Sequence, residues 1–486
     1  MATLARPAPM RLRPQLAEAF VLPLAAAAIA ALVQSLLMAV DCDVSWLITV
    51  NEKMLAGQRL YVDVIETNPP ASIWLYTPAV WLAHHVQLRP EAVVVAFFIA
   101  AALGSCAATI RISNRLRNPP DQFAFSAILA FVTLLLPLGN FAQREHAALL
   151  LALPMLAGLA VLADGRTVGL RTQLALGAGA GLMIAIKPHF ALAIAPALVF
   201  SSLRSHSVRR ELPLAFAALA VAALYAGAVV AFTPEYFRIL PVLAEVYLPL
   251  REKLTTLVVG PVVIVPLALF ALALLLRPRR WESLPVVLLV ASAGFAAAAL
   301  IQGKGYLNHA LPGMALAFVA VIVLAMDSSA QPRQRAIVLW ATAALAGLEL
   351  YAMASIQPLS NLTRAVARVA PARPSVITLG PELRTGHPLV RNLDGRWIGS
   401  RAALFIAGGA YQEMRDGREA DPQLRRWYRA DLESFAADVR RGQPDVILVD
   451  VRPGLEWLPK DPLIAPTMAS YRPAARADDV EVWIRR

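Results

Sequence analysis

The sequence predicts an all-α polytopic membrane protein with a small α/β domain at its C-terminal end. Three observations predict it. Of 486 residues, 58% are hydrophobic and 16% charged, whereas a soluble domain has roughly 45–50% apolar and about 25% charged residues. Apolar runs of about 15–22 residues, each closed by a short polar segment, recur from Phe20 to about Ile356, and a hydrocarbon core about 30 Å thick needs helices of that length. Beyond Leu359 these runs stop. Lipid supplies no hydrogen-bond partners for a backbone, and no ten-residue alternation suggests an outer-membrane barrel, so the runs are read as helices.

The first run follows Arg6, Arg11 and Arg13 and continues to Val40. It is too long for a signal-peptide core and many runs follow, which predicts a retained first helix. The net charge of +12 does not point to nucleic acid, because the cations collect in alternate loops. Clusters at Arg111/Arg115/Arg117, Arg166/Arg171, Arg204/Arg209/Arg210, Arg277/Arg279/Arg280 and Arg333/Arg335 are placed in the cytoplasm, and acidic segments between them outside. About eleven spans follow: 18–40, 91–110, 123–138, 147–163, 173–186, 189–203, 212–232, 257–276, 284–301, 310–326 and 336–356. The apolar stretch 69–85 is read as an interfacial helix, since a span there would break the charge rule and Trp74, Tyr76 and Trp81 suit headgroup depth.

The predicted domains are a cytoplasmic N-terminus at 1–17, a membrane module at 18–359 with a first periplasmic loop at 41–90, and a periplasmic α/β domain at 360–486. In that domain 374–379, 445–451 and 480–484 read as strands. Residues 421–441 read as an amphipathic helix, because Leu424, Trp427, Leu432, Phe435 and Val439 share a helical spacing. Cys42 and Cys106 are the two cysteines, placed at a membrane face and inside a helix, so no disulfide is expected.

Four polar segments interrupt the apolar pattern on the periplasmic side. The first loop carries Asp41, Asp43, Asp63 and Glu66, ending in Glu66-Thr-Asn68-Pro69-Pro70. A carboxylate just above a bilayer can take a proton from an acceptor hydroxyl or amine, although an acidic exterior loop can also be merely solvated. Asn140 to His146 places Gln143, Arg144, Glu145 and His146 in one short turn, with Glu145 expected to face Asp43 across a cavity. Lys187-Pro188-His189 sets a cation at membrane depth, a costly placement that marks a site by default and suits a phosphate. Lys304 and His309 occupy the segment Gln302 to His309, where Gly303 and Gly305 free the backbone. The segment 233–254, with Arg238, Arg251 and Lys253, reads as a lid over the same face. Carboxylates and cations together fit a substrate that combines a lipid with a phosphate.

The pattern resembles the GT-C superfamily of integral-membrane glycosyltransferases, which includes protein O-mannosyltransferases and the aminoarabinose transferase of lipid A. The resemblance covers about 1–356. It is most specific in Asp41-x-Asp43, Asn51-Glu-Lys-Met-Leu55, Gly57, Tyr61-x-Asp63 and Glu66-x-Asn68-Pro69-Pro70. It implies Asp43 as catalytic base with Asp41 as the alternative, Glu145 as the second acid, and Lys187 as the contact to the lipid phosphate. Arg144, His146, His189, Lys304, His309, Glu66 and Asp63 complete the candidate binding set read from the polar segments themselves; the Lys304/His309 segment resembles one that recurs in bacterial members, which gives neither residue a role.

The implied reaction is an inverting transfer of a sugar from a polyprenyl phosphate to an envelope acceptor, whether lipopolysaccharide, other glycan or protein. It uses no metal and no cofactor, and takes place at the periplasmic face of the bacterial inner membrane, among membrane lipids. A lipid or glycan transporter is the alternative from another class, and would place ionisable residues at mid-membrane and show repeat symmetry. An assembly protein would leave Lys187 and the short Glu145 turn unexplained, and a polymerase or ligase using diphosphate donors would favour a large late outer loop with several arginines, whereas the late loops here are small.

Overall fold

The computed structural model describes residues 20–276, 280–326, 331–355 and 360–486. The expected N-terminal segment 1–17, Arg277 and Arg279 lie outside the described residues.

The chain begins with α1 (Val21–Leu36) and then forms α2 (Cys42–Leu55), α3 (Pro70–Trp74) and α4 (Thr77–His85) before entering the bundle again with α5 (Pro90–Ser113). There follow α6 (Gln122–Ala130), continued by a π-turn at Phe131–Leu135, then α7 (Arg144–Ala163), α8 (Leu170–Ile186), α9 (Ala191–Ser205) and α10 (Leu212–Phe232). Two short helices, α11 (Tyr236–Val246) and α12 (Leu254–Val258), lead to α13 (Pro261–Leu275), α14 (Ser283–Gln302), α15 (Leu307–Ala325) and α16 (Pro332–Ala354). Among the described residues, seven helices are long and apolar enough to cross a membrane: α5, α7, α10, α12 running into α13, α14, α15 and α16. The chain is a multi-pass membrane protein. The shorter apolar helices α1, α6 and α8 fall where sequence placed spans.

Helices α7 and α15 are buried along most of their length and form the axis of the bundle, while α10 and α16 are largely exposed. Small residues bring some helices very close. A Cβ on Gly181 of α8 would stand 2.6 Å from the Ala218 carbonyl of α10, and one on Gly177, a turn earlier, would collide with the Leu214 carbonyl. Without a hydrophobic force between helices in lipid, such backbone approach is a main source of association.

Two features of the first loop differ from expectation. Residues 42–55 form a helix, and 69–85 form two short helices rather than one. The run Val44-Ser-Trp-Leu-Ile-Thr-Val50 is rich in β-branched residues and gives little helical signal by propensity. Asp41 nevertheless caps it, its side chain accepting from the Asp43 amide at 2.7 Å. Val44, Trp46, Leu47, Ile48 and Val50 are then all buried. Packing decides the conformation.

After α17 (Ser360–Val369) comes a five-stranded sheet in the order β2-β1-β3-β5-β4, built from β1 (Ser375–Leu379), β2 (Arg396–Trp397), β3 (Val446–Asp450), β4 (Tyr471–Ala477) and β5 (Val480–Arg485). β1 pairs in parallel with β2 and β3, and β5 runs antiparallel to both β3 and β4. Between strands lie α18 (Leu383–Gly386), α19 (Leu389–Asn392), α20 (Phe405–Glu413) and the amphipathic α21 (Pro422–Gly442), which Asp421 caps. Edge strand β4 was invisible in sequence because Arg472, Pro473 and Arg476 break any apolar alternation, as suits an edge.

The sheet domain is clamped to the first loop. Arg391 of α19 forms a two-pronged pair with Glu52 of α2, at 2.7 and 2.9 Å, and reaches Glu91 of α5 at 2.5 Å. Ile65 donates its amide to the Ser400 carbonyl at 2.8 Å. The Trp46 ring packs on His387 and Trp397, with centroids 5.3 and 6.5 Å away. At the opposite side of this seam, Gly409 of α20 abuts the Val246 carbonyl of α11 so closely that no Cβ would fit.

Candidate active site

A cavity of about 1600 Å³ opens between the helix bundle and the sheet domain. Its bundle side is built from the segment following α1, the Glu66–Pro69 turn, the starts of α7 and α15, and the break between α8 and α9. Eight of the eleven sequence-predicted site residues line it: Asp41, Asp43, Glu66, Arg144, Lys187, His189, Lys304 and His309.

Asp41 and Asp43 sit together because capping of α2 folds the Asp41 side chain back onto the Asp43 amide. The Gln143 amide, the residue just before α7, donates to Asp41 Oδ1 and to Asp43 Oδ2, the latter at 3.3 Å. Arg144 donates to Asp43 Oδ2 at 3.0 Å and to the Asn68 side-chain carbonyl. Asn68 is fixed in turn by Glu66, which accepts from the Thr67 amide at 2.7 Å, from the Asn68 amide at 2.8 Å and from the Asn68 side chain at 2.6 Å. Trp46 donates its indole N–H to the other Glu66 oxygen. Glu66 thus organises the turn that holds Arg144. Half-burial and the Asp43 charge beside it push the Asp41 carboxyl up to about 7.

The second cluster centres on Glu145, which is fully buried in the first turn of α7. Lys187 ends α8 where Pro188 removes a backbone donor and breaks the helix. Its ammonium donates to Glu145 Oε1 and to Gln302 Oε1 at 3.2 Å. His309 Nε2 lies 3.5 Å from the same Glu145 oxygen. An acid at a helix N-terminus with a cation beside it is a favourable arrangement. Lys304 is held differently, donating to the carbonyls of Tyr247 at 2.8 Å and Leu250 at 2.5 Å. Glu252 donates its amide to the Gly303 carbonyl at 2.8 Å. The segment expected to be a lid is therefore strapped to the Gly303–Gly305 turn. Burial brings the Lys304 ammonium down to about 8.

Three expected site residues are not brought to the cavity. Glu145 does not face Asp43; it lies behind the wall, against Lys187. His146 points into the bundle, where its Nε2 meets the Thr133 carbonyl at 2.8 Å and its Nδ1 accepts from the Ala142 amide at 3.2 Å, which makes it a satisfied core histidine. Asp63 is on the surface, accepting from the Arg59 amide at 2.8 Å and paired with the Arg59 side chain. Sequence reasoning missed Gln143 as the bridge between the two aspartates, Tyr247, and the whole sheet-domain wall with Glu382, Arg384 and His387. No periodicity or spacing announces that wall.

No protein-family model and no curated protein sequence matches the chain. Among solved structures, ArnT from Cupriavidus metallidurans bound to undecaprenyl phosphate is similar at a TM-score of 0.57 and 14% identity, over 95% of this chain and 97% of that one. The same protein in the apo state gives 0.57 and 15%, with the same coverage. The oligosaccharyltransferase of Archaeoglobus fulgidus, at a TM-score of 0.46 and 11% identity over 93% of this chain and 72% of that one, is too distant to argue from. Sheet domain and helix bundle together, this chain has a fold similar to that of ArnT over nearly the full length of both chains.

Proposed function

We propose that the protein transfers a sugar from a polyprenyl-phosphate donor to an envelope acceptor, with inversion at the anomeric carbon. The observation that carries this reading is the Asp43 carboxylate facing a 1600 Å³ cavity that Lys187 and Arg144 also line. The shared fold with a protein solved bound to undecaprenyl phosphate supports it. Asp43 takes the proton from the acceptor hydroxyl or amine. The freed lone pair attacks the anomeric carbon, the bond from that carbon to the phosphate oxygen breaks, and polyprenyl phosphate leaves. Lys187, with Arg144 or Lys304, stabilises the charge that gathers on the departing phosphate. Gln143 and Arg144 fix the orientation of Asp43. No step in this scheme calls on a metal or cofactor.

The same reading has eleven crossings, a cytoplasmic N-terminus and a membrane module at 18–359, with the domain at 360–486 on the periplasmic side of the inner membrane. The arginine alternation supports that orientation.

The test is mass spectrometry of envelope glycans and lipid A from cells lacking the protein, complemented with wild type, Asp43→Asn or Lys187→Ala. Loss of one sugar mass, restored by wild type and by neither variant at equal expression, is expected. Unchanged glycans in the deletion strain would sink the transferase reading, and full complementation by Asp43→Asn would remove Asp43 as base.

A further inference from the structure

The scheme above leaves one wall of the cavity without a task. The groups assigned to the donor all belong to the helix bundle, yet residues 381–388, helix α20 and the turn at 453–458 also line the cavity. Along that wall aromatic rings run away from the reaction centre. Tyr247, whose carbonyl holds Lys304, meets Phe405 edge to face, with centroids 6.3 Å apart and planes at 74°. Six positions further along α20, Tyr411 stacks on Trp457 at 4.5 Å and 28°.

Trp457 is fixed from the domain side. Its indole N–H donates to the Gly454 carbonyl at 2.8 Å, Tyr428 lies 6.0 Å away, and the Tyr428 hydroxyl donates to Asp461 at 2.8 Å. Yet Tyr411 and Trp457 are only half-buried and both line the cavity, where a pair serving the core alone would be sealed off. Beside them Gln412, Glu413 and Asp416 line the same stretch, with Gln412 donating to Asp416 at 2.8 Å.

Flat π-faces flanked by amides and carboxylates fit one class of ligand better than others. A pyranose ring offers a face of C–H bonds to an aromatic ring and hydroxyls to carboxylates around its edge. A lipid chain gains nothing from these polar groups, and with Arg415 lining the same stretch and Arg418 paired with Glu413 at 3.3 Å the wall is mixed in charge, offering the donors and acceptors that hydroxyls use more than a site for a lone anion.

We propose that the sheet domain binds the acceptor as a carbohydrate, its ring against Tyr411 and Trp457 and its hydroxyls on Gln412, Glu413 and Asp416. Tyr247 and Phe405 line the cavity together with that subsite and Asp43. The inference rests on the transferase reading and narrows its acceptor to a glycan, leaving polypeptide out.

The test titrates purified full-length protein in lipid nanodiscs with oligosaccharides released by mild acid from the host's own envelope glycolipid, without donor. Saturation-transfer NMR and calorimetry read the binding. Wild type and Asp43→Asn are expected to bind alike, with Trp457→Ala and Tyr411→Ala weakened about tenfold and Trp457→Phe by less than about threefold. Alanine variants that keep the wild-type thermal transition and bind like wild type would overturn the subsite. So would failure of every oligosaccharide where an unstructured peptide pool binds. Sugar binding without any change in glycan mass on deletion would overturn the transferase reading and leave the subsite standing. Full transfer by Trp457→Ala would overturn the subsite alone.

Discussion

Lys187 and Glu145, 42 positions apart in sequence, form a buried ion pair at the junction of α7, α8 and α15, with Lys187 at the cavity wall and Glu145 behind it. Breaking such a pair from one side leaves an uncompensated charge, at a cost of about 3–5 kcal/mol. Lys187→Met and Glu145→Gln should each lower thermal stability by that order, and the double variant by clearly less than the sum. A double-mutant cycle on the purified protein measures the coupling. Additive losses would mean the two residues do not rely on each other.

Asp43→Asn keeps the size of the side chain and its contacts with Gln143 and Arg144 within reach. It leaves the buried Arg144 without its carboxylate partner and should therefore cost about 1–3 kcal/mol of stability, while sugar transfer from a polyprenyl-phosphate donor falls about 10²–10⁴-fold. Initial rates with purified enzyme decide it. A rate within a few-fold of wild type would shift the base to Asp41.

Asp41 gives a pH signature with a fixed sign. Its carboxyl is raised to about 7, from an ordinary value of 3.8. Between pH 4 and 7 or so the folded chain holds a proton there that the unfolded chain has released. The contribution of Asp41 to stability is therefore fully present below about 4 and is lost as pH rises through 7. Melting temperatures of wild type should fall relative to Asp41→Asn across that window. Parallel curves would contradict the assignment.

Arg391 is the main polar tie between the sheet domain and the membrane module, holding Glu52 and Glu91 at once. Arg391→Ala should cost about 3 kcal/mol and loosen the domain locally. Limited trypsin digestion should then cut faster at Arg364 or Arg368, ahead of the first strand. Unaltered cleavage would place the tie elsewhere, in the Trp46–His387–Trp397 packing.

The membrane helices were legible because lipid imposes one requirement on every span, a long apolar helix, and composition alone reveals it. In the sheet domain, β1 and β3 were legible as continuous apolar runs buried at every position, and β5 and α21 because each buries one regular face. Helix α2 was not, since Ser45-Trp-Leu-Ile-Thr49 is covered by segments more than 300 positions later, such as His387. The site was legible as separate polar turns. Which acid meets which cation was not, because Arg144 and Glu145 are adjacent on α7 yet pair in opposite directions, one with Asp43 and one with Lys187. A helix turns about 100° per residue, so neighbours in sequence serve different rooms.

Arg144 and Lys187 reach the cavity already neutralised by carboxylates of the chain itself. An anion arriving from the membrane gains only the difference between its own attraction and that of the carboxylate it displaces. The resting site thus acts as an ion exchanger, not a trap. Once the anion is spent, Asp43 and Glu145 reclaim their partners and help expel it. Turnover, more than tight binding, is what this pairing favours.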